Sequence, residues 1–161
     1  MPEASCKSFT FEKIKQKLIN YCVYQDRSHY EAEQKMKEFM LIPEAKDKLI
    51  LYLIKENYLN EERFTRSYIR GKFYIKHWGR NKIRQHLKMK QIPEKLINKC
   101  WNEIDSEDYR KTIIKIFNDY FGTAKGKNHF EKQSKSVKYL IGRGFEYDAI
   151  METINENIEI Q

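Results

Sequence analysis

Gly79-Arg80-Asn81-Lys82-Ile83-Arg84-Gln85-His86-Leu87-Lys88-Met89-Lys90-Gln91-Ile92-Pro93-Glu94 reads as one short basic helix running into the start of another. Ile83 and Leu87 stand one helical turn apart and make a single apolar edge. Ile92-Pro93-Glu94 then opens a new helix. A proline costs nothing in a first turn, where its missing N–H has no partner to lose, and a glutamate there faces the positive end of the dipole. The same triplet occurs at Ile42-Pro43-Glu44, and Phe145-Glu146 holds the equivalent place without the proline. The two later copies follow a basic helix with an apolar pair, Ile83 and Leu87 in one and Val137 and Leu140 in the other. Each precedes a short helix with apolar residues about one turn apart (Ile97 and Trp101, then Ile150 and Ile154). Three copies of a three-helix unit explain this spacing, each too small to bury its own apolar face, so that neighbours stack. The first copy matches least well. Its third helix is about one turn longer, and no glycine marks the end of its second.

Working outward, the pattern places helices over 11–24, 28–40, 43–56, 60–76, 79–90, 93–103, 106–121, 130–142 and 146–157. Ser28 with Glu31 forms a capping box, and Asn60 caps a helix whose first turn holds Glu61 and Glu62. Gly142 and Gly144 bracket Arg143 where another helix should stop. The longest break runs from Gly122 to His129 and should be mobile. The expected fold is all-α, a tandem array of three three-helix repeats, elongated and curved. The repeats cover 11–57, 58–104 and 105–161, after a disordered N-terminal stretch over 1–10.

The 161 residues are 40% hydrophobic and 14% aromatic, enough apolar matter for a core, which argues against global disorder. A formal charge of +8 favours an acidic partner, nucleic acid before an acidic protein or an anionic membrane. Cys6, Cys22 and Cys100 form no Cys-x-x-Cys pair, which implies a reducing compartment rather than a disulfide framework. Residues 1–10 lack the apolar region of a signal peptide, and no run approaches the roughly 20 apolar residues of a membrane span. The expected location is the cytoplasm, with no membrane association and a monomer when free.

Between Arg63 and Lys99 twelve basic residues face one acid, Glu94, so this window alone exceeds the net charge of the whole chain. Arg63, Arg66 and Arg70 share one helical face, while Phe64, Tyr68, Gly71 and Ile75 lie on another that suits the core. Arg80, Arg84 and Lys88 form a second stripe beside Ile83 and Leu87. Like charges one turn apart repel, so a stripe without local carboxylates points to an anionic partner rather than to a solvated face. The candidate residues for binding an anionic partner, DNA or protein, are Arg63, Arg66, Arg70, Lys72, Lys76, Trp78, Arg80, Lys82, Arg84 and Lys88. Tyr68, Phe73, Tyr74 and Trp78 interleave with them. Rings at helical spacing are mostly core, but Tyr74 and Trp78 are candidates for base stacking.

Catalytic patterns are missing. The four histidines show no ligand spacing, and there is neither a phosphate-binding loop nor a dinucleotide fingerprint. Cys22 and Cys100 sit in apolar helical faces and read as small core hydrophobes. Acidic residues such as Glu61, Glu62, Asp105, Glu107 and Asp108 fall at helix starts, where the dipole explains them. The sequence predicts a non-enzyme with no metal and no cofactor.

Tyr58-Leu59-Asn60-Glu61-Glu62-Arg63-Phe64, followed by Tyr68-Ile69-Arg70-Gly71-Lys72-Phe73, resembles the most recognisable stretch of the RecX family. Trp78-Gly79-Arg80-Asn81-Lys82-Ile83 with Leu87 is similar to that family's second motif, Gly-x-x-x-Ile-x-x-x-Leu. Tyr24-Gln25-Asp26-Arg27-Ser28 and Tyr139-Leu140-x-x-Arg143-Gly144-Phe145 also fit, and the resemblance covers residues 11–157. It implies a tandem array of three-helix repeats. It also implies a regulator, most often an inhibitor, of the RecA recombinase, limiting filament extension, ATPase, strand exchange and coprotease activity. Such a protein contributes to recombination, DNA repair and the SOS response. The partners implied are the RecA filament and single-stranded DNA, with nonspecific contact to duplex DNA. One departure is Phe39-Met40-Leu41-Ile42, which replaces the family's glycine after the second helix of repeat 1. The alternative function is a sequence-nonspecific DNA-binding helical module that acts independently of RecA.

Overall fold

A computed structural model describes residues 9–159. Among these the chain is all-α, with nine α-helices: α1 (Phe11–Tyr24), α2 (His29–Met36), α3 (Pro43–Lys55), α4 (Glu61–Arg70), α5 (Arg80–Met89), α6 (Glu94–Lys99), α7 (Ser106–Thr123), α8 (His129–Gly142) and α9 (Tyr147–Glu159). The expectation of disorder over 1–10 falls mostly on residues 1–8, outside the described ones, as does Cys6. Phe9 and Thr10 are ordered. Thr10 accepts a hydrogen bond from the Lys13 N–H and caps α1, and the Phe9 ring meets Phe39 edge-on at 5.6 Å. The chain divides into two compact units, one up to Phe64 and the other from Thr65, so the division falls inside α4.

In the first unit, α1, α2 and α3 enclose Ile14, Leu18, Cys22, Ala32, Met36, Leu49, Leu53 and Leu59. Ser28 accepts from the Glu31 N–H while the Glu31 carboxylate accepts from the Ser28 N–H, the reciprocal pair that a capping box requires. Lacking a glycine, α2 tightens into a 3₁₀ turn over Lys37–Phe39, and Met40 itself takes the left-handed conformation at φ 50°. Pro43 is the first residue of α3, whereas Pro93 stands one position earlier, as the cap of α6.

In the second unit, α4 does not run straight on to residue 76. Gly71–Ile75 form a π-helical turn, in which the wider i→i+5 bonding rotates the face presented by the residues that follow. As a result Phe73 is buried and Ile75 is 74% exposed, which corrects the expectation that Ile75 belongs to the core face. The Trp78 N–H then donates to the Lys72 carbonyl at 3.0 Å, so the turn fixes those two residues side by side.

Repeats 2 and 3 leave their second helices through the same device. Gln91 (φ 60°) and Gly144 (φ 97°) are left-handed. Ile92 N–H donates to Leu87 O and Gln91 N–H to Lys88 O; Phe145 N–H donates to Leu140 O and Gly144 N–H to Ile141 O. This is the Schellman pattern, with its apolar contact between Leu87 and Ile92 or Leu140 and Phe145. All four of those side chains are buried.

The two repeats dock through glycines. Gly79 N–H donates to Arg143 O and Asn81 N–H to Gly144 O, both at 2.9 Å, so the end of α8 supplies acceptors to the orphan donors that begin α5. A third donor, Arg80 N–H, bonds to the Tyr109 hydroxyl at 3.1 Å. A Cβ on Gly79 would lie 2.2 Å from the Gly144 carbonyl carbon, and one on Gly144 would lie 2.3 Å from Lys82 Cβ. Arg143 closes the joint by donating to the carbonyls of Lys76 and His77. The break after α7 is shorter than the sequence predicts, since α7 continues to Thr123 and Asn128 caps α8.

Candidate nucleic-acid interface

The arginines of the middle repeat are largely held by the chain's own carboxylates. Arg63 donates to Asp26 at 2.7 Å and to the carbonyls of Asn57 and Tyr58. Arg66 and Arg70 share Glu103, at 2.9 and 2.7 Å, and these two hydrogen bonds hold its carboxyl below the usual carboxylate range. Arg80 lies 3.9 Å from the Tyr109 ring and 3.8 Å from Glu146. Tyr109 donates to Glu146 at 2.7 Å, and its burial, followed by the Glu146 charge, pushes its own pKa upward. Glu94 is gripped from two positions, by Arg84 at 3.2 Å and Lys88 at 2.7 Å. The Lys88 bond is the main reason that its carboxyl is also depressed.

The Arg80, Arg84 and Lys88 stripe is therefore not the unmatched face expected from its spacing. Its acids come from elements outside the helix: Glu94 from α6 and Glu146 from the start of α9. Of the three, only Lys88 is more than half exposed. Tyr74 is committed as well, donating to Asp108 and accepting from the Asp105 N–H.

Lysines make a different cluster, around two rings. Lys72 Nζ lies 5.3 Å from the centre of the Tyr68 ring and 4.8 Å from that of Trp78. Lys82 Nζ stands 4.4 Å from Trp78, and Lys90 Nζ 5.9 Å from Tyr68. The His86 ring packs against Trp78 at 4.7 Å. Ring quadrupoles attract ammonium groups, and the Trp78 face gives Lys72 and Lys82 fixed places without neutralising them. His86 registers the resulting field: burial, then the charges of Lys82, Lys72 and Lys90, lower its pKa. Lys76 is exposed.

Of the candidate residues, the fold thus gathers Lys72, Trp78 and Lys82 into one patch with Tyr68, His86 and Lys90, and it pairs Arg63, Arg66, Arg70, Arg80, Arg84 and Lys88 with carboxylates of the chain. The signal for His86 and Lys90 was present in the sequence. Lys82, His86 and Lys90 fall at i, i+4 and i+8, the same spacing as the stripe that stands out first. Among the described residues no group of three or more His, Cys, Asp or Glu is placed to hold a metal ion, and no helix is long and apolar enough to cross a membrane.

Comparisons with known proteins give this arrangement a context. Residues 60–100 match the family described as RecX, second three-helix domain, which spans α4, the π-helical turn, α5 and α6. The chain is 29% identical over 159 residues to the regulatory protein RecX of Streptococcus uberis, covering 98% of this chain and 60% of that one. It is 23% identical over 143 residues to the regulatory protein RecX of Lactobacillus gasseri, covering 89% of this chain and 52% of the relative. The chain thus spans little more than half the length of these relatives. In fold it is similar to the crystal structure of RecX from Lactobacillus salivarius, with a TM-score of 0.84 at 22% identity over 91% of this chain and 95% of that one. The domain match over residues 60–100, the relatives along the length of the chain and the shared helical-repeat fold agree in their likeness to RecX proteins.

Proposed function

We propose that the chain is a regulator of RecA, most simply an inhibitor, which binds the RecA–single-stranded DNA filament and limits its extension. The supporting observation is the pair of lysines on Trp78, where Lys72 and Lys82 stand 4.8 and 4.4 Å from the ring centre and His86 packs against the same ring. A phosphodiester placed there relieves repulsion between the two ammonium groups. Two phosphates neutralised on a single strand give a logarithmic salt slope of about −1.4, from about −0.7 each. Phosphate contact of this kind carries no sequence preference, which suits a partner that travels over any sequence. The ammonium groups lie close to the Trp78 ring, so Trp78 serves as the platform that places Lys72 and Lys82. Base stacking on its face is secondary.

A ligand shifts an equilibrium only by its differential affinity for the two states. The chain must therefore bind a capped or inactive filament more tightly than a growing one. The paired residues Arg63, Arg66, Arg70, Arg80, Arg84 and Lys88 hold the repeats in shape and present the patch. The reading is tested by titrating the fluorescently labelled chain against naked oligothymidylate and against the same strand coated with the cognate RecA and a non-hydrolysable ATP analogue. Tighter binding to the coated strand supports a filament regulator. Equal or weaker binding to it leaves a DNA-binding module independent of RecA.

A further inference from the structure

Positions counted from the cap of the second helix bring an unassigned feature of repeat 1 into line with the lysine cluster of repeat 2. Relative to Gly79, five of the six cluster residues lie at −11 (Tyr68), −7 (Lys72), −1 (Trp78), +7 (His86) and +11 (Lys90). Relative to Ser28, the same five places hold Lys17, Tyr21, Arg27, Lys35 and Phe39. All five line one open depression of 520 Å³ in the first unit. Ring and cation change places at all five, so that three rings and two cations in repeat 2 become two rings and three cations in repeat 1, while the cluster's sixth member, Lys82 at +3, corresponds to the capping Glu31. We propose that this depression is a second nucleic-acid site, which takes one nucleotide unit of single-stranded DNA. The proposal rests on the nucleic-acid reading of the lysine cluster given above.

The local geometry supports both halves of a nucleotide. The Arg27 guanidinium lies 3.8 Å from the centre of the Tyr21 ring, held there by its Nε–H bond to the Tyr21 carbonyl, which leaves its terminal nitrogens to face a ligand. Lys17 Nζ stands 5.0 Å from the Phe9 ring and Lys35 Nζ 5.7 Å from Tyr21. One acid lines the depression, Glu38, and both of its oxygens accept from Lys35 at 3.0 and 2.9 Å. Lys17 and Arg27 therefore supply the charge for a phosphate. On the same rim the Tyr24 ring is 84% exposed, a flat apolar surface that the core does not use. The volume falls within the range of about 300–1,000 Å³ typical of small-molecule sites. An acidic peptide would use the cations and leave Tyr24 in water, whereas a nucleotide uses both. Repeat 3 offers a contrast. Its −11 and −7 places, counted from Asn128, hold Phe117 and Phe121, which stack on each other at 5.7 Å and leave no cation on the first helix there.

The test is fluorescence anisotropy of labelled oligothymidylate with the full chain and two variants, Lys17→Gln/Tyr24→Ala and Lys72→Gln/Lys82→Gln, across a salt series. Lys17 and Tyr24 are surface side chains, and unchanged circular dichroism confirms that the first variant is folded. Loss of one stacked base weakens binding about fivefold or more. Loss of the Lys17 phosphate contact makes the logarithmic salt slope shallower by about 0.7. Tyr24→Phe, which keeps the ring, should bind as the parent does. If the Lys72/Lys82 variant loses affinity while Lys17→Gln/Tyr24→Ala keeps both affinity and slope, the repeat 1 site is refuted and the repeat 2 site stands. If the repeat 1 variant binds DNA normally but fails only when RecA is present, the depression contacts protein and the proposal is also overturned. If the parent chain itself shows no salt-dependent binding, the underlying nucleic-acid reading fails, a distinct result. Thymidine monophosphate that bound the repeat 1 depression as tightly as the oligomer would overturn the assignment to a strand.

Discussion

Gly144→Ala tests the physics of the joint between repeats 2 and 3. The residue has φ 97°, where any side chain is strained, and the added Cβ would lie 2.3 Å from Lys82 Cβ and 2.6 Å from Lys82 N. Leaving glycine's territory costs about 1 kcal/mol. Overpacking against groups that cannot rotate away costs about 1–3 kcal/mol, and here one of them is backbone. The start of α5 must also retreat, stretching the Gly79–Arg143 and Asn81–Gly144 bonds, now both 2.9 Å. The sum is about 3 kcal/mol, which for a chain of this size lowers the melting temperature by about 10 °C. Both tryptophans, Trp78 and Trp101, lie in the unit from Thr65 onward, so their fluorescence during urea or thermal unfolding reports on that unit alone. Gly79→Ala separates the causes: its φ of −76° suits any residue, but the Cβ would meet the Gly144 backbone at 2.2 Å. It should destabilise through the clash alone. A Gly144→Ala protein within about 0.5 kcal/mol of the parent, the range of ordinary surface changes, would refute this account of the joint.

Other expectations follow from the same features. Gln91 holds in repeat 2 the left-handed place that Gly144 holds in repeat 3, so Gln91→Gly should raise stability by a few tenths to about 1 kcal/mol, seen as a higher urea midpoint. Lys72→Gln/Lys82→Gln should leave the urea midpoint unchanged and make the salt slope of DNA binding shallower by about 1.4. Arg66→Ala/Arg70→Ala should show the reverse order, losing stability before affinity, because both side chains hold Glu103. Glu103→Gln should cost about 1 kcal/mol at pH 7, a value kept small because the pair is partly solvated. Since the folded carboxyl is depressed below its ordinary value of 4.5, that contribution is complete above the unfolded value. It disappears as pH falls through the folded one, so parent and variant should converge in acid unfolding experiments.

Much of the fold is legible in the chain because the repeat writes its punctuation locally. Ser28 and Glu31 cap one another without help from distant residues, and the Ile-Pro-Glu triplets mark helix starts by backbone chemistry alone. What escapes is non-local or depends on hydrogen-bond register. The π-helical turn at Gly71–Ile75 has no side-chain mark, yet it moves Phe73 into the core, leaves Ile75 outside and brings Trp78 to Lys72. The charge pattern misleads for the first of these reasons. Counting acids between Arg63 and Lys99 finds only Glu94, whereas Asp26, Glu103 and Glu146 reach the same arginines from elsewhere in the sequence. Arginine, with its planar fork, is the residue most readily drawn into such fixed pairs. The lysines around Trp78 have ring faces as neighbours instead and keep their charge for a partner.

The most direct test of a regulator acting on the filament is the steady-state ATPase of the cognate RecA on single-stranded DNA, with the chain titrated from far below one copy per RecA. The proposed function predicts inhibition at substoichiometric ratios, with the Lys72→Gln/Lys82→Gln variant shifted to higher concentrations although it is folded as the parent is. An ATPase rate unchanged up to saturation, with a RecA that responds to other regulators, would contradict it.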